Sequence, residues 1–122
     1  MLFTGIYIAL AITVAITGYI AMRFVRDAEE GMVWATHKHA LLPRVMTGRY
    51  IMLFMFTLGV MLFGDIYMIA WLFAVCALVG FYDGWLYRTN GLPHGKHTFT
   101  GILALGALGL TVFTLLQSGD GT

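Results

Sequence analysis

The sequence predicts an all-α integral membrane protein, a bundle of four transmembrane helices that forms a single domain over residues 1–122. Apolar residues make up 60% of the 122 residues and charged residues 11%, whereas soluble domains have about 45–50% and about 25%. The run from Ile6 to Met22 carries no charge on any helical face, although a soluble bundle helix would show a polar stripe of period 3.6. We therefore expect a lipid bilayer to be the solvent of this chain.

Four apolar runs are long enough to cross the hydrocarbon core of a bilayer, which takes about 20 helical residues. The first run has no basic residue before its apolar stretch and no cleavage motif after it, so we expect a mature helix and not a signal peptide. The four spans cover about residues 2–25, 45–64, 66–88 and 98–117.

Residues that begin or end helices agree with these spans. Asp65 is expected to cap the third helix with its carboxylate, and Gly91 is expected to end that helix in the left-handed conformation. Thr98 or Thr100 is expected to cap the fourth helix, and Pro43 to lie near the first turn of the second.

The basic residues predict the orientation of the bundle, because Lys and Arg near span ends stay in the cytoplasm. The second connection, at Gly64-Asp65, and the C-terminal tail have none. We therefore expect both termini on the periplasmic or exterior side, in a bacterial inner membrane. All seven Lys and Arg flank or occupy the first and third connections: Arg23, Arg26, Lys38, Arg44, Arg49, Arg88 and Lys96.

The cytoplasmic connection 27–44 has two interpretations. Apolar residues such as Val33 and Trp34 alternate with acidic residues and histidines, which favours a short helix on the bilayer surface. The alternative is an irregular loop that Trp34 anchors among the headgroups.

A possible internal repeat also has two interpretations. The segments Gly18 to Arg26 and Gly80 to Arg88 resemble each other, which indicates either two parallel helical hairpins or two helix ends of similar composition.

Small residues predict how the helices pack, because helices in lipid associate where backbones can come close. The first and fourth helices are the richest in small residues, so we expect them to pack most closely. The second helix instead carries many Met and Phe side chains, which favours contact with lipid or, alternatively, with a hydrophobic ligand or a partner helix. The residues expected at helix contacts are Gly5, Ala9, Gly101, Gly106 and Gly109.

Asp83 and Arg49 form the first candidate site, because charge within a membrane span tends to mark a site or a pair. Both are expected at similar depth on the cytoplasmic side, where a guanidinium makes a carboxylate more tolerable. The alternatives are that Arg49 extends to the headgroups, or that Asp83 binds a proton or cation beside Tyr82 and Trp85.

Histidines form the second candidate site, since imidazole is a common ligand of zinc and copper. All four lie in connections assigned to the cytoplasmic side, and the alternative is that they are solvated at the interface. We predict no other cofactor, because no span carries a histidine that could hold a haem. The candidate metal ligands are His37, His39, His94 and His97.

The polar positions Gly48-Arg49, Asp83, Arg88, Gly91 and His97 resemble those of small four-span bacterial membrane proteins of no assigned activity. The resemblance covers about residues 46–110 and implies a fold but no reaction. The acidic first connection with its histidines departs from that pattern.

Two classes of function remain at this point. No Gly-x-Ser-x-Gly, phosphate-binding loop, His-Glu-x-x-His or Cys-x-x-Cys motif is present, which favours a non-enzymatic accessory or assembly subunit. Its partners would be membrane lipids and either a larger membrane complex or its own copies, with no nucleic acid. The alternative is a protein that binds a metal ion, a proton or a lipid-like ligand at the cytoplasmic end of the bundle.

Overall fold

The computed structural model describes residues 2–119, apart from the side chains at positions 2–4, 7, 9, 10 and 13. All regular structure in this range is helical, which confirms the predicted all-α class. The elements are α1 (Leu2–Arg26), α2 (Ala28–Trp34), a 3₁₀ turn (His39–Leu41), α3 (Leu42–Phe63), α4 (Ile66–Thr89) and α5 (Gly95–Gly119).

Three segments of the described chain are long and apolar enough to cross a membrane. They correspond to the second, third and fourth predicted spans, and they make this a membrane protein by the length and composition of its helices. α1 covers the first predicted span, and the count of four spans stays a prediction. The three segments are His39–Phe63, Ile66–Thr89 and Gly95–Gly119.

The chain divides into two compact units, Met1–Tyr50 and Ile51–Thr122. In the first unit, α2 packs against the end of α1. Gly31 of α2 is buried there, and a Cβ at this position would lie 2.9 Å from Cγ of Phe24. The absence of a side chain at Gly31 therefore lets α2 fold back onto α1.

In the second unit, α4 and α5 form an antiparallel hairpin. The hairpin is packed through small residues: Ala77 and Gly80 of α4 and Ala104 of α5 are buried. A Cβ on Gly80 would lie 2.7 Å from both Cα and N of Gly101, so the two backbones are in direct contact.

One of the predicted packing residues lies at this contact, and three others have no described neighbour. Gly101 packs against Phe81 of α4, whereas a Cβ on Gly5, Gly106 or Gly109 would meet no described atom within 4 Å. The side chain of Ala9 lies outside the described residues. Close packing of the first and fourth helices stays a prediction, and the fourth helix uses Gly101 to pack against the third.

Three of the predicted helix-end residues are confirmed. The Asp65 carboxylate accepts a hydrogen bond from the N–H of Met68 at the start of α4. Gly91 has φ of 69°, and the N–H of Leu92 donates to the carbonyl of Tyr87 in the pattern of a Schellman motif. Pro43 lies in the first turn of α3, also as predicted.

The predicted cap of α5 is wrong. α5 begins at Gly95, and the N–H of Thr98 already donates to the carbonyl of His94 within the first turn. The hydroxyl of Thr100 donates to the carbonyl of Lys96. Thr98 therefore lies inside the first turn and does not precede it. The hydroxyl of Thr100 binds a carbonyl four residues earlier in the helix, so it does not cap the free N–H groups at the helix start.

The first connection contains a helix, as one of its two interpretations required. The Asp27 carboxylate caps α2 by accepting from the N–H groups of Glu29 and Glu30. The helix ends at Trp34, and Thr36, two residues later, has φ of 60°. The N–H of His37 donates to the carbonyl of Met32. The placement of α2 on a bilayer surface stays a prediction.

Candidate functional site

Asp83 is the one acidic residue within the three segments that are long and apolar enough to cross a membrane. It lies six residues before the end of α4, or about 9 Å along the helix at 1.5 Å per residue. In the described hairpin its Oδ2 lies 3.9 Å from Nδ1 of His97 on α5. The two side chains are 36% and 33% exposed, so the pair is partly covered by the hairpin itself.

Small residues next to this pair hold the two helices close enough for the contact. Gly84, one residue after Asp83, is buried, and a Cβ there would lie 2.6 Å from Oγ1 of Thr98. The ring of Tyr87 lies against the imidazole of His97, with ring centroids 4.5 Å apart. The close approach of the two helices at Gly84 and the ring of Tyr87 therefore position His97 together.

At 3.9 Å the carboxylate and the imidazole do not hydrogen-bond directly, but together they can contribute two ligands to a cation. Asp83 and His97 therefore form the polar site of the described hairpin. The predicted pairing of Asp83 with Arg49 joins the two units and stays a prediction.

The second polar cluster surrounds Arg23 in the first unit. Nη2 of Arg23 donates to Oε1 of Glu30 at 2.6 Å, and Nη1 donates to the hydroxyl of Tyr19 at 3.3 Å. The guanidinium carbon lies 5.1 Å from the ring centroid of Trp34 and 5.9 Å from that of Tyr19, within the range of cation–π attraction. Arg23 therefore fastens α2 to the last turns of α1.

The acidic residues of this unit all have internal partners. Asp27 caps α2, Glu30 binds Arg23, and Oε2 of Glu29 lies 3.0 Å from Nε2 of His39. No hydrogen bond or ion pair engages the side chains of four basic residues among the described residues of the unit: Arg26, Lys38, Arg44 and Arg49. The unit consequently has unpaired positive charge and no unpaired acidic side chain.

The four predicted metal ligands are divided between the units. His39 contacts Glu29 and His97 contacts Asp83, while His37 and His94 are half-buried. Within the residues that the structure describes, no group of three or more His, Cys, Asp or Glu side chains could hold a metal ion. A zinc or copper site built from all four histidines stays a prediction.

Sequence reasoning missed the contact between Asp83 and His97 and the cluster around Arg23. No sequence signal identifies the first, because the side chains that face each other across two helices depend on the rotation of each helix about its axis. Asp83 lies six residues before the end of α4, and His97 lies two residues after the start of α5. For the second, Tyr19 and Arg23 are spaced four apart on one face of α1. The position of Glu30 depends on the bend at Asp27 and could not be derived from spacing.

Comparison with protein-family models, with curated proteins and with solved structures gives no match for this chain. The resemblance to small four-span bacterial membrane proteins stays a prediction.

Proposed function

We propose that this chain is a non-enzymatic integral membrane protein that serves as an accessory or assembly subunit, packing against a larger membrane complex or its own copies. In this proposal four helices cross a bacterial inner membrane. The cytoplasmic side carries the connection 27–44 and the α4–α5 turn, so the outer ends of α1 and α5 face the periplasm or exterior. The one-sided distribution of Lys and Arg supports this orientation.

The observation that carries the assembly role is a glycine face on α5 directed away from α4. On a helix that turns about 100° per residue, Gly106 and Gly109 lie about 200° and 140° round from the buried Ala104. Both glycines are exposed, and a Cβ on either would meet no described atom within 4 Å. Since the hairpin already uses Gly80 and Gly101 for close backbone packing, a second glycine face suits a second helix.

The assembly role is tested by replacing both outer glycines with leucine. The wild-type chain and Gly106→Leu/Gly109→Leu are expressed in native membranes, extracted in mild detergent and analysed for stoichiometric partners or homo-oligomers. We expect the double variant to lose its partner or its oligomeric state. Thr114→Leu is the matched control, because it adds a similar side chain to an exposed position on a flank of α5. A wild-type chain that remains monomeric and without a partner contradicts the proposal.

Orientation is tested separately with single cysteines in a Cys76→Ser background. Ala40 lies in the 3₁₀ turn and Ser118 near the end of α5, and both are exposed. An impermeant thiol reagent applied from outside should label Ser118→Cys and spare Ala40→Cys until the membrane is opened. Labelling of both from the same side contradicts four spans.

The contact between Asp83 and His97 favours a second candidate function, which is binding of a metal ion, proton or lipid-like ligand at the cytoplasmic end of the bundle. A carboxylate within a membrane span is a costly feature that tends to be kept for a site. Zinc or copper measured by elemental analysis of the purified chain tests the metal version. Metal that disappears in a variant with His37, His39, His94 and His97 replaced by Gln supports it, and a metal-free wild type contradicts it.

A further inference from the structure

The first unit carries both unpaired basic side chains and exposed apolar side chains. Its acidic residues are all engaged internally: Asp27 by backbone N–H groups, Glu29 by His39, and Glu30 by Arg23. Residues 1–50 contain five Lys or Arg and three Asp or Glu, so the net formal charge of the unit is positive.

Three of the four unpaired cations lie near the helix ends: Arg26 at the end of α1, Lys38 in the turn after α2 and Arg44 in the first turn of α3. All three are exposed, and the fourth, Arg49, lies seven residues further into α3 than its first residue. Exposed apolar side chains lie in the same unit: Val25, directly before Arg26 in the chain, is 86% exposed, and Val33 of α2 is 76% exposed. Cations beside apolar groups match the chemistry of a bilayer interface, where phosphates lie next to hydrocarbon.

We infer that Arg26, Lys38 and Arg44 bind the phosphates of anionic phospholipids at the membrane surface. This inference rests on the membrane placement proposed above and names the class of lipid that the first unit selects. Anionic headgroups fit better than an acidic protein, because Val25 and Val33 require hydrocarbon beside the charge. Neutral phospholipids lack the net negative charge that three unpaired cations attract.

The pair of α1 and α2 explains why these three cations stay available. Asp27 lies directly beside Arg26 in the chain, but its Oδ1 accepts from two backbone N–H groups of α2. Arg23 binds Glu30 at 2.6 Å, so the carboxylate of Glu30 already has a partner. Since each acidic side chain has a partner within the unit, phosphate groups from outside can neutralise the remaining cations.

The inference is tested with the full chain in neutral detergent by native mass spectrometry, with phosphatidylglycerol and phosphatidylcholine added in equal amounts. We expect the wild type to retain phosphatidylglycerol preferentially, and Arg26→Gln/Lys38→Gln/Arg44→Gln to lose that preference. The expected change is about fivefold for each charge removed, which corresponds to about 1 kcal/mol per basic residue near an anionic surface. The charge-conserving control Arg26→Lys/Lys38→Arg/Arg44→Lys should keep the preference.

Three outcomes overturn the inference: no preference in the wild type, a preference that survives in the glutamine variant, or a preference that the charge-conserving variant loses equally. Glycerol 3-phosphate is added in a separate arm, and displacement of the lipid by this free anion at equal concentration would mean a simple phosphate site. Circular dichroism of each variant establishes that its helices have formed.

The membrane placement is measured in the same preparation by flotation with vesicles of phosphatidylcholine alone. A chain that floats and resists alkaline extraction but shows no preference for phosphatidylglycerol contradicts only the lipid inference. A chain that does not float contradicts the proposed membrane placement as well.

Discussion

The α1–α2 pair and the α4–α5 hairpin are held together by different kinds of contact. α2 is fastened to α1 by a salt bridge and two aromatic rings around Arg23, together with a carboxylate cap at Asp27. α4 and α5 instead touch through the backbones of Gly80 and Gly101. The difference follows the solvent expected for each region, since polar contacts suit an aqueous interface and small residues suit a lipid environment without a hydrophobic driving force.

Gly80→Ala tests the backbone contact and should have the largest effect. The added Cβ would lie 2.7 Å from two backbone atoms of Gly101, which cannot rotate away, so we expect a loss of about 3 kcal/mol from overpacking. Unfolding of the purified chain by sodium dodecyl sulfate gives the free energy. Gly48→Ala in α3 is the matched control and should lose nothing, because its Cβ meets no described atom within 4 Å. Equal stability of the two variants contradicts the close packing of α4 and α5.

The ends of α2 and α4 extend the comparison, because each helix is followed by a turn with one residue in the left-handed conformation, and the type of that residue differs. Gly91 has φ of 69° and Thr36 has φ of 60°, and a β-branched residue is strained in this left-handed region. We expect Gly91→Thr to destabilise the end of α4 by about 1–2 kcal/mol and Thr36→Gly to stabilise the end of α2 by about 1 kcal/mol.

Hydrogen exchange of the amides of His37 and Leu92 measures these two changes, because each N–H closes its turn on a carbonyl of the preceding helix. Exchange should slow at His37 in Thr36→Gly and accelerate at Leu92 in Gly91→Thr. Thr89→Ala, at the last position of α4, controls for the loss of a nearby side chain. An unchanged exchange rate at His37 would show that Thr36 is not strained.

Arg23→Gln tests whether the polar contacts of Arg23 hold α2 against α1. The variant loses the salt bridge to Glu30 and the stacking on Trp34. Since the Arg23 and Glu30 side chains are 26% and 60% exposed, solvent screening limits the salt bridge to at most about 1 kcal/mol. The amides of α2 should exchange about fivefold faster. Arg26→Gln is the control, because Arg26 has no partner among the described residues of the unit. This variant should leave the exchange rate of the α2 amides unchanged. Equal effects of both variants would contradict the role of Arg23.

Helix ends could be predicted from the sequence because their chemistry is local. Asp65 and Gly91 act on backbone groups within a few residues, so their roles do not depend on the tertiary structure. Thr98 misled the prediction because threonine serves at a helix start and also within a first turn, and only the path of the chain through Gly95 distinguishes these cases. Thr36 carries no signal at all, since its residue type disfavours the conformation that it adopts.

Helix pairing was less predictable because α5 carries small residues on two faces. Gly101 and Ala104 face α4 and are buried, whereas Gly106 and Gly109 face away from it. Composition shows both sets but does not determine which one meets α4, because that depends on the rotation of one helix relative to the other. For the same reason, the sequence predicted Arg49 as the partner of Asp83 and missed the contact with His97 on α5.

Two double-mutant cycles that share Asp83→Asn decide between these partners, and their effect should be the smallest. The first cycle pairs it with His97→Gln. We expect a coupling energy of about 0.5 kcal/mol, because the atoms are 3.9 Å apart and both side chains are about one-third exposed. The second cycle uses Arg49→Gln, and Arg88→Gln is the control with no expected coupling. Unfolding in detergent provides the free energies, and each cycle isolates one pairwise interaction. Coupling to Arg49 without coupling to His97 would favour the pair expected from the sequence, and would mean that Asp83 connects the two units and does not act within its own hairpin.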